Sequence, residues 1–196
     1  MKEIESYIET YFGIGGNDLS SVSQLFTNTT LKKNEYLLKM DQFAQSIHFV
    51  KSGYLRVYAY SESGEKEITQ WISNHGMFIT DLSSFILGTP SRWNIQALSD
   101  CELYTISRED YQSISNLVQN WAELEKLFIA KCFVTLENRV FGQLSMTAEE
   151  KVKNLLEVNP DIFLQVPLQY IASMLGMTPE TLSRVRRKMI SWSMSR

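Results

Sequence analysis

The sequence predicts an α+β protein: a double-stranded β-helix (jelly roll) with flanking helices, then one long helix, then a C-terminal helix-turn-helix. Three observations predict it. Between about Leu31 and Ile106 the apolar period is two. A run without proline follows from Trp121 to Leu144. Beyond it, Gly176 separates two segments whose apolar residues recur at helical spacing. A length of 196 residues suits one larger domain or two small ones, and 44% hydrophobic content is too apolar for disorder.

The elements can be justified in chain order. Residues 1–26 read as helical, with Ile4, Tyr7, Ile8, Tyr11 and Phe12 at helical spacing. "GIGGND" interrupts them and is no phosphate loop, because no strand leads in and no Gly-Lys-Ser/Thr follows. The acids within "MKEIESYIETYFG" argue against a signal peptide. No apolar window approaches membrane-spanning length, so the expected place is the cytoplasm, with no membrane partner. In "FVKSGYLRVYAY", Leu55, Val57 and Ala59 alternate with Tyr54, Arg56, Tyr58 and Tyr60. "SESGE" is a turn, "KEITQWIS" a returning strand, and "RWNIQALSDCELYTIS" two more short strands. Short strands with regular turns predict a sandwich or jelly roll.

Ser107 is the expected N-cap of the next helix, with Asp110 three residues on. In the long helix, Leu124, Leu127, Phe128, Lys131, Val134, Phe141 and Leu144 make an imperfect stripe. Packing on its own sheet and pairing with a copy of itself both fit, because Lys131 and Asn138 interrupt the heptad. Thr147 with Glu150 predicts a capping box, and Pro160 lies past the end of that helix.

Charge is unevenly placed. Residues 164–196 hold five bases and one acid, or +4, while the rest holds fourteen bases and twenty-one acids, or −7. The total is −3. An acidic body with a basic tip points to nucleic acid. In that tip, Leu168, Ile171, Ala172 and Leu175 form one helix face and Gly176 stops the helix. Thr178 is the expected N-cap, Pro179 suits the first turn, and Glu180 complements the positive helix end. On the second helix, Leu182, Val185 and Met189 gather on one side. Glu180, Arg184 and Arg187 gather opposite, with Thr181, Ser183, Arg186 and Lys188 at the edges. This is the pattern of a recognition helix entering a major groove.

Other chemistries find less support. Cys101 and Cys132 lie far apart and make neither a disulfide framework nor a Cys-x-x-Cys site. His48 and His75 are the two histidines, too few for a clustered metal site, and neither reads as a haem ligand. No catalytic constellation is recognisable. The expectation is a protein that is no enzyme and uses no cofactor.

With these residues in view, the chain resembles the CRP/FNR superfamily of bacterial transcription regulators over nearly its full length. The motifs are "FVKSGYLRVYAY…GEKEI", "GMFITDLSSF…QALSDCELYTISRED" and, most specific, "IASMLGMTPETLSRVRRKM". The resemblance implies a cyclic-nucleotide-binding-like sensor over residues 1–118, a dimerisation helix over 119–144, and a winged-helix-type DNA-binding domain over 145–196. It implies that Leu124, Leu127, Phe128, Lys131, Val134 and Phe141 lie on the dimer helix. It places the base-reading residues on Pro179, Glu180 and Arg184, with Thr178, Thr181, Ser183, Arg186, Arg187 and Lys188 completing the DNA-facing set. Pro179 stands where the family's best-known member has an arginine, so the half-site should differ. After Met189 only "ISWSMSR" remains, too short for the family's wing hairpin, which is expected to be shortened or absent.

Nucleotide-binding relatives carry a Gly-Glu pair and, ten residues after the Glu, an Arg-Ser pair. By position these fall on Thr80-Asp81 and Ser91-Arg92, so the phosphate-binding arginine is missing and Trp93 crowds its place. The candidate effector-pocket residues are Thr80, Asp81, Leu82, Ser91, Arg92 and Trp93. A filled scaffold and a pocket retuned for another small molecule both remain open. The expected function is a homodimeric, sequence-specific DNA-binding regulator that reads a pseudo-palindromic operator. RNA polymerase and a small-molecule effector other than cyclic AMP are its implied further partners. The rival expectation is a ligand-sensing or protein-interaction module of the same fold that no longer binds DNA specifically.

Overall fold

In the computed structural model, which describes residues 3–193, two helices open the chain: α1 (Glu3–Phe12) and α2 (Gly16–Ser23). Then come β1 (Thr27–Leu31), β2 (Tyr36–Leu38), β3 (Ser46–Ser52), β4 (Leu55–Tyr60), β5 (Glu67–Ser73) and β6 (Phe78–Ile79). The short helix α3 (Leu82–Leu87) precedes β7 (Asn94–Ala97) and β8 (Cys101–Ser107). Helices α4 (Arg108–Ser113), α5 (Trp121–Ser145), α6 (Ala148–Val158), α7 (Ile162–Gln165), α8 (Leu168–Met174) and α9 (Pro179–Ser193) complete the described chain. The α+β jelly roll and the helix-turn-helix expected from the sequence are both present.

The eight strands form two four-stranded sheets, ordered β1-β8-β3-β6 and β2-β7-β4-β5. In the first, β3 runs antiparallel to β8 and pairs His48 with Thr105 and Phe49 with Tyr104. Between β3 and β4 the chain turns at Gly53, whose φ of +90° places its α-carbon against the Asp100 carbonyl. A side chain there would collide with backbone, so the turn requires glycine. The alternation read in β4 is incomplete as a guide to exposure. Leu55, Arg56, Val57 and Tyr58 are all buried, and β4 lies between β7 and β5 in its sheet.

The chain forms two compact units, one of residues 1–57 and 73–134, the other of residues 58–72 and 135–196. In the first, aromatic residues tie the helices to the sheet that contains β3. The Phe12 ring lies 5.9 Å from Phe49, 5.5 Å from Trp121 and 4.8 Å from Phe128. Phe128 also meets Phe78 at 5.3 Å. Edge-on rings at such separations add about 1 kcal/mol per pair beyond the area they bury.

In the second unit, Val152, Ile162, Val166, Ile171, Ala172, Leu182 and Val185 form the core. Thr147 and Glu150 make the expected capping box at the start of α6. The outer part of the β4–β5 hairpin belongs to this unit. The Arg139 guanidinium lies 4.2 Å from the Trp71 ring and donates to the Gln70 carbonyl. The Thr69 amide donates to the Ser173 hydroxyl at 2.9 Å. Burial pulls Arg139 down to about 10.

After Met189 the chain continues as helix to Ser193, and no strand follows α9 among the described residues. The last part of "ISWSMSR", with Arg196, lies outside the described residues.

Candidate nucleic-acid interface and sensor site

The helix-turn-helix geometry follows from local rules. α8 ends in a Schellman motif: Met177 N–H donates to the Ala172 carbonyl at 3.0 Å and Gly176 N–H to the Ser173 carbonyl at 3.1 Å. Gly176 takes φ +69°, which glycine adopts at low cost. Thr178 then caps α9, its hydroxyl accepting from the Thr181 amide at 3.2 Å. Ala172, Leu182 and Val185 are buried, so the two helices meet through a small residue and two aliphatic ones.

The other side of α9 faces solvent. Thr178, Pro179, Glu180, Arg184, Arg187 and Lys188 are exposed, while Thr181, Ser183 and Arg186 are half-buried. Glu180 is held below the usual carboxylate range by its own backbone amide and by the Thr178 hydroxyl. Two of the expected DNA-facing cations turn toward their own unit. The Arg186 guanidinium stacks 4.3 Å from the Phe163 ring, and Lys188 pairs with Glu149 at 3.1 Å. Lys188 first and Arg184 more weakly lower the Glu149 carboxyl. The exposed basic residues nearest the start of α9 are therefore Arg184 and Arg187.

The residues assigned to the dimer helix also divide. Phe128 is buried in the aromatic cluster, and Lys131 donates to the Thr10 carbonyl at 3.3 Å. Leu124 is half-buried. Leu127, Val134 and Phe141, seven residues apart, are exposed, and so are Phe133, Leu136, Val140 and Leu144. Phe141 is 71% exposed and Leu144 83%. An apolar surface of this extent on one helix is unusual for a chain that stays alone.

The structure brings together three of the six sensor candidates, Asp81, Ser91 and Trp93. Asp81 caps α3 and is 4% exposed; Ser91 is 1% exposed. One Asp81 oxygen accepts from the Ser84 amide at 3.1 Å and the Ser83 hydroxyl at 2.8 Å, the other from the Ser91 hydroxyl at 2.7 Å. The Trp93 amide donates back to the Ser91 hydroxyl oxygen at 3.1 Å. The carboxylate is thus occupied from within. Arg92 is exposed, with its guanidinium 4.9 Å from the Trp93 ring, and does not approach Asp81. The Thr80 hydroxyl donates to the Ser46 carbonyl at 2.9 Å, and Leu82 is half-buried. Among the described residues no cluster of His, Cys, Asp and Glu could hold a metal ion.

A cavity of about 630 Å³ lies beside these residues in the same unit. His48, Leu38 and Ile95 form its buried floor; Gln42 and Phe43 stand at its exposed rim. Sequence reasoning did not find it: most of its walls come from residues 37–48, which carried no motif, and only Thr80 was already a candidate.

A double-sheeted roll, a long helix and a helix-turn-helix make up the described chain. Residues 28–116 match the family described as cyclic nucleotide-binding domain. Solved structures share the fold. FixK2 from Bradyrhizobium japonicum aligns with a TM-score of 0.72 and 19% identity, over 86% of this chain and 86% of that one. A CRP/FNR-family protein from Eubacterium rectale aligns at 0.68 and 20%, over 95% and 88%. The Thermus thermophilus catabolite activator protein aligns at 0.55 and 18%, over 92% and 86%. No curated protein sequence matches. Residues 28–116 are thus similar to the cyclic nucleotide-binding domain family, and the chain shares the fold of these solved structures.

Proposed function

We propose that this chain is a sequence-specific DNA-binding transcription regulator that works as a homodimer. The observation that carries the reading is α9, which buries Leu182 and Val185 and exposes Glu180, Arg184 and Arg187 on the opposite side. Glu180 accepts from a cytosine amino group and Arg184 donates to guanine in the major groove. Thr178, Thr181, Ser183 and Arg187 bind phosphates and set register. Arg186 and Lys188 are engaged at Phe163 and Glu149, so their part in phosphate binding is the smaller one. The fold shared with FixK2 and the catabolite activator protein supports the same reading.

Dimerisation buries Leu127, Val134 and Phe141 against their copies, and the two recognition helices then read half-sites about one helical turn apart. RNA polymerase is a further partner on this reading, and the cytoplasm its place. Cyclic AMP is not the signal: Ser91 stands where a phosphate-binding arginine would be needed, and its hydroxyl occupies Asp81. Selection of binding sites from a random duplex pool tests the proposal. The expected result is a two-fold symmetric motif; recovery of no motif, with salt-insensitive non-binding on random duplex, overturns it. That result would favour a sensing or protein-interaction module without operator binding.

A further inference from the structure

The cavity lined by the loop between β2 and β3 has a buried histidine with unused hydrogen-bonding capacity. The His48 ring is 9% exposed and forms part of the cavity floor. Its Nδ1 lies 2.8 Å from the Thr105 hydroxyl oxygen. Thr105 gives its one hydroxyl proton to Thr29 at 2.8 Å. It has no proton left for His48, so its oxygen accepts, and His48 Nδ1 must donate. A neutral imidazole has one N–H, so Nε2 is the bare, accepting nitrogen. Among the described residues the His48 ring makes no hydrogen bond besides the one at Nδ1. Burial holds His48 in the neutral form, lowered to about 4.

The other walls narrow the ligand class. Leu37, Leu38, Phe43, Ala44 and Ile95 give the cavity an apolar part, and Asp41, Gln42, Gln45, Ser46 and Thr80 line it beside His48. Gln42 stands at the rim with its carbonyl already accepting from the Lys39 amide at 3.1 Å, which leaves its amide N–H₂ for a ligand. No cation lines the cavity, and Asp41 adds a carboxylate at its mouth. A phosphate ester or other anion would meet no counter-charge there. Small-molecule sites commonly have volumes of about 300–1,000 Å³, apolar walls and a few convergent polar groups.

We infer that this cavity is a binding site for an uncharged small molecule with an apolar body and a hydroxyl or N–H donor, which donates to His48 Nε2. The site is separate from the occupied Asp81–Ser91 pair. It rests on the roll alone and not on the DNA-binding reading.

Two measurements without DNA test it, using protein labelled with ¹⁵N at its two histidines, His48 and His75. In the free protein His48 should show protonated Nδ1 and bare Nε2. Indole, an apolar ring with one N–H, should then shift the Nε2 signal and raise the melting temperature. His75, exposed on another segment, serves as the internal reference. 1-Methylindole lacks the donor and leaves Nε2 unpaired, so it should bind more weakly by about tenfold or more. A protonated Nε2 in the free protein overturns the inference. So do equal affinities for the two indoles, and so does an unmoved His48 signal at millimolar indole.

Discussion

Asp81 and His48 are both buried polar side chains of the same unit, and they differ in what is left over. Asp81 accepts from Ser83, Ser84 and Ser91, with both oxygens engaged. On the tautomer inferred from the Thr105–Thr29 bond, His48 gives its one proton to Thr105 and keeps Nε2 bare, and the residue lines the cavity. The second unit repeats the contrast on α9. Arg186 lies against Phe163 and Lys188 against Glu149, while Arg184 and Arg187 are exposed. Recognition of an outside molecule needs capacity that the fold has not already used. Burial and charge alone do not distinguish the two kinds of group; the hydrogen-bond inventory does.

The largest expected effect is at Asp81. Asp81→Ala removes a helix cap and leaves buried serine donors without an acceptor, so urea denaturation should show a loss of about 4 kcal/mol. A loss under about 1 kcal/mol would mean that the carboxylate is not the fixed internal partner described here. His48 comes next. Its unfolded form protonates near 6.5, its folded form only near 4. Between those values the unfolded chain binds the extra proton, so stability is full above 6.5 and falls as the pH drops toward 4. The loss is on the order of 3 kcal/mol. His48→Gln should flatten that part of the pH profile, measured by denaturation midpoints; an unchanged slope would remove the buried neutral imidazole from the comparison.

Arg184→Ala should weaken binding to a selected operator by about 1–3 kcal/mol and relax preference at one base pair, read by fluorescence anisotropy. Arg187→Ala should instead lower affinity evenly across sequences and reduce the salt slope by about one. The smallest effects belong to Arg186→Ala and Lys188→Ala. Each should cost about 1 kcal/mol of stability or less and change operator affinity little. Equal losses of DNA affinity at Arg184 and Arg186 would erase the distinction between free and engaged cations.

What was legible in the sequence was local. The cap at Ser107, the box at Thr147 and Glu150, and the glycine stop at Gly176 each depend on residues within a few positions. The long helix was legible from its lack of breakers, and the roll from its period of two. The division of α5 was not legible, because Phe128 and Leu127 are equally apolar and the positions of Phe12 and Phe78 decide which is covered. The Asp81–Ser91 bond joins residues ten apart that a periodic pattern cannot pair. The cavity floor takes Leu38, His48 and Ile95 from three strands, a juxtaposition that exists only once the roll closes. Arg186 and Lys188 looked equivalent to Arg184 and Arg187 in sequence, since their partners Phe163 and Glu149 lie more than twenty positions away.

The turn between α8 and α9 fixes its geometry with two backbone hydrogen bonds and one left-handed glycine. None of these draws on the side chains of Glu180, Arg184 or Arg187. Descendants of this gene could therefore exchange those three letters and acquire a new set of promoters while inheriting the same folded scaffold, so that regulatory rewiring and structural integrity are under separate selection.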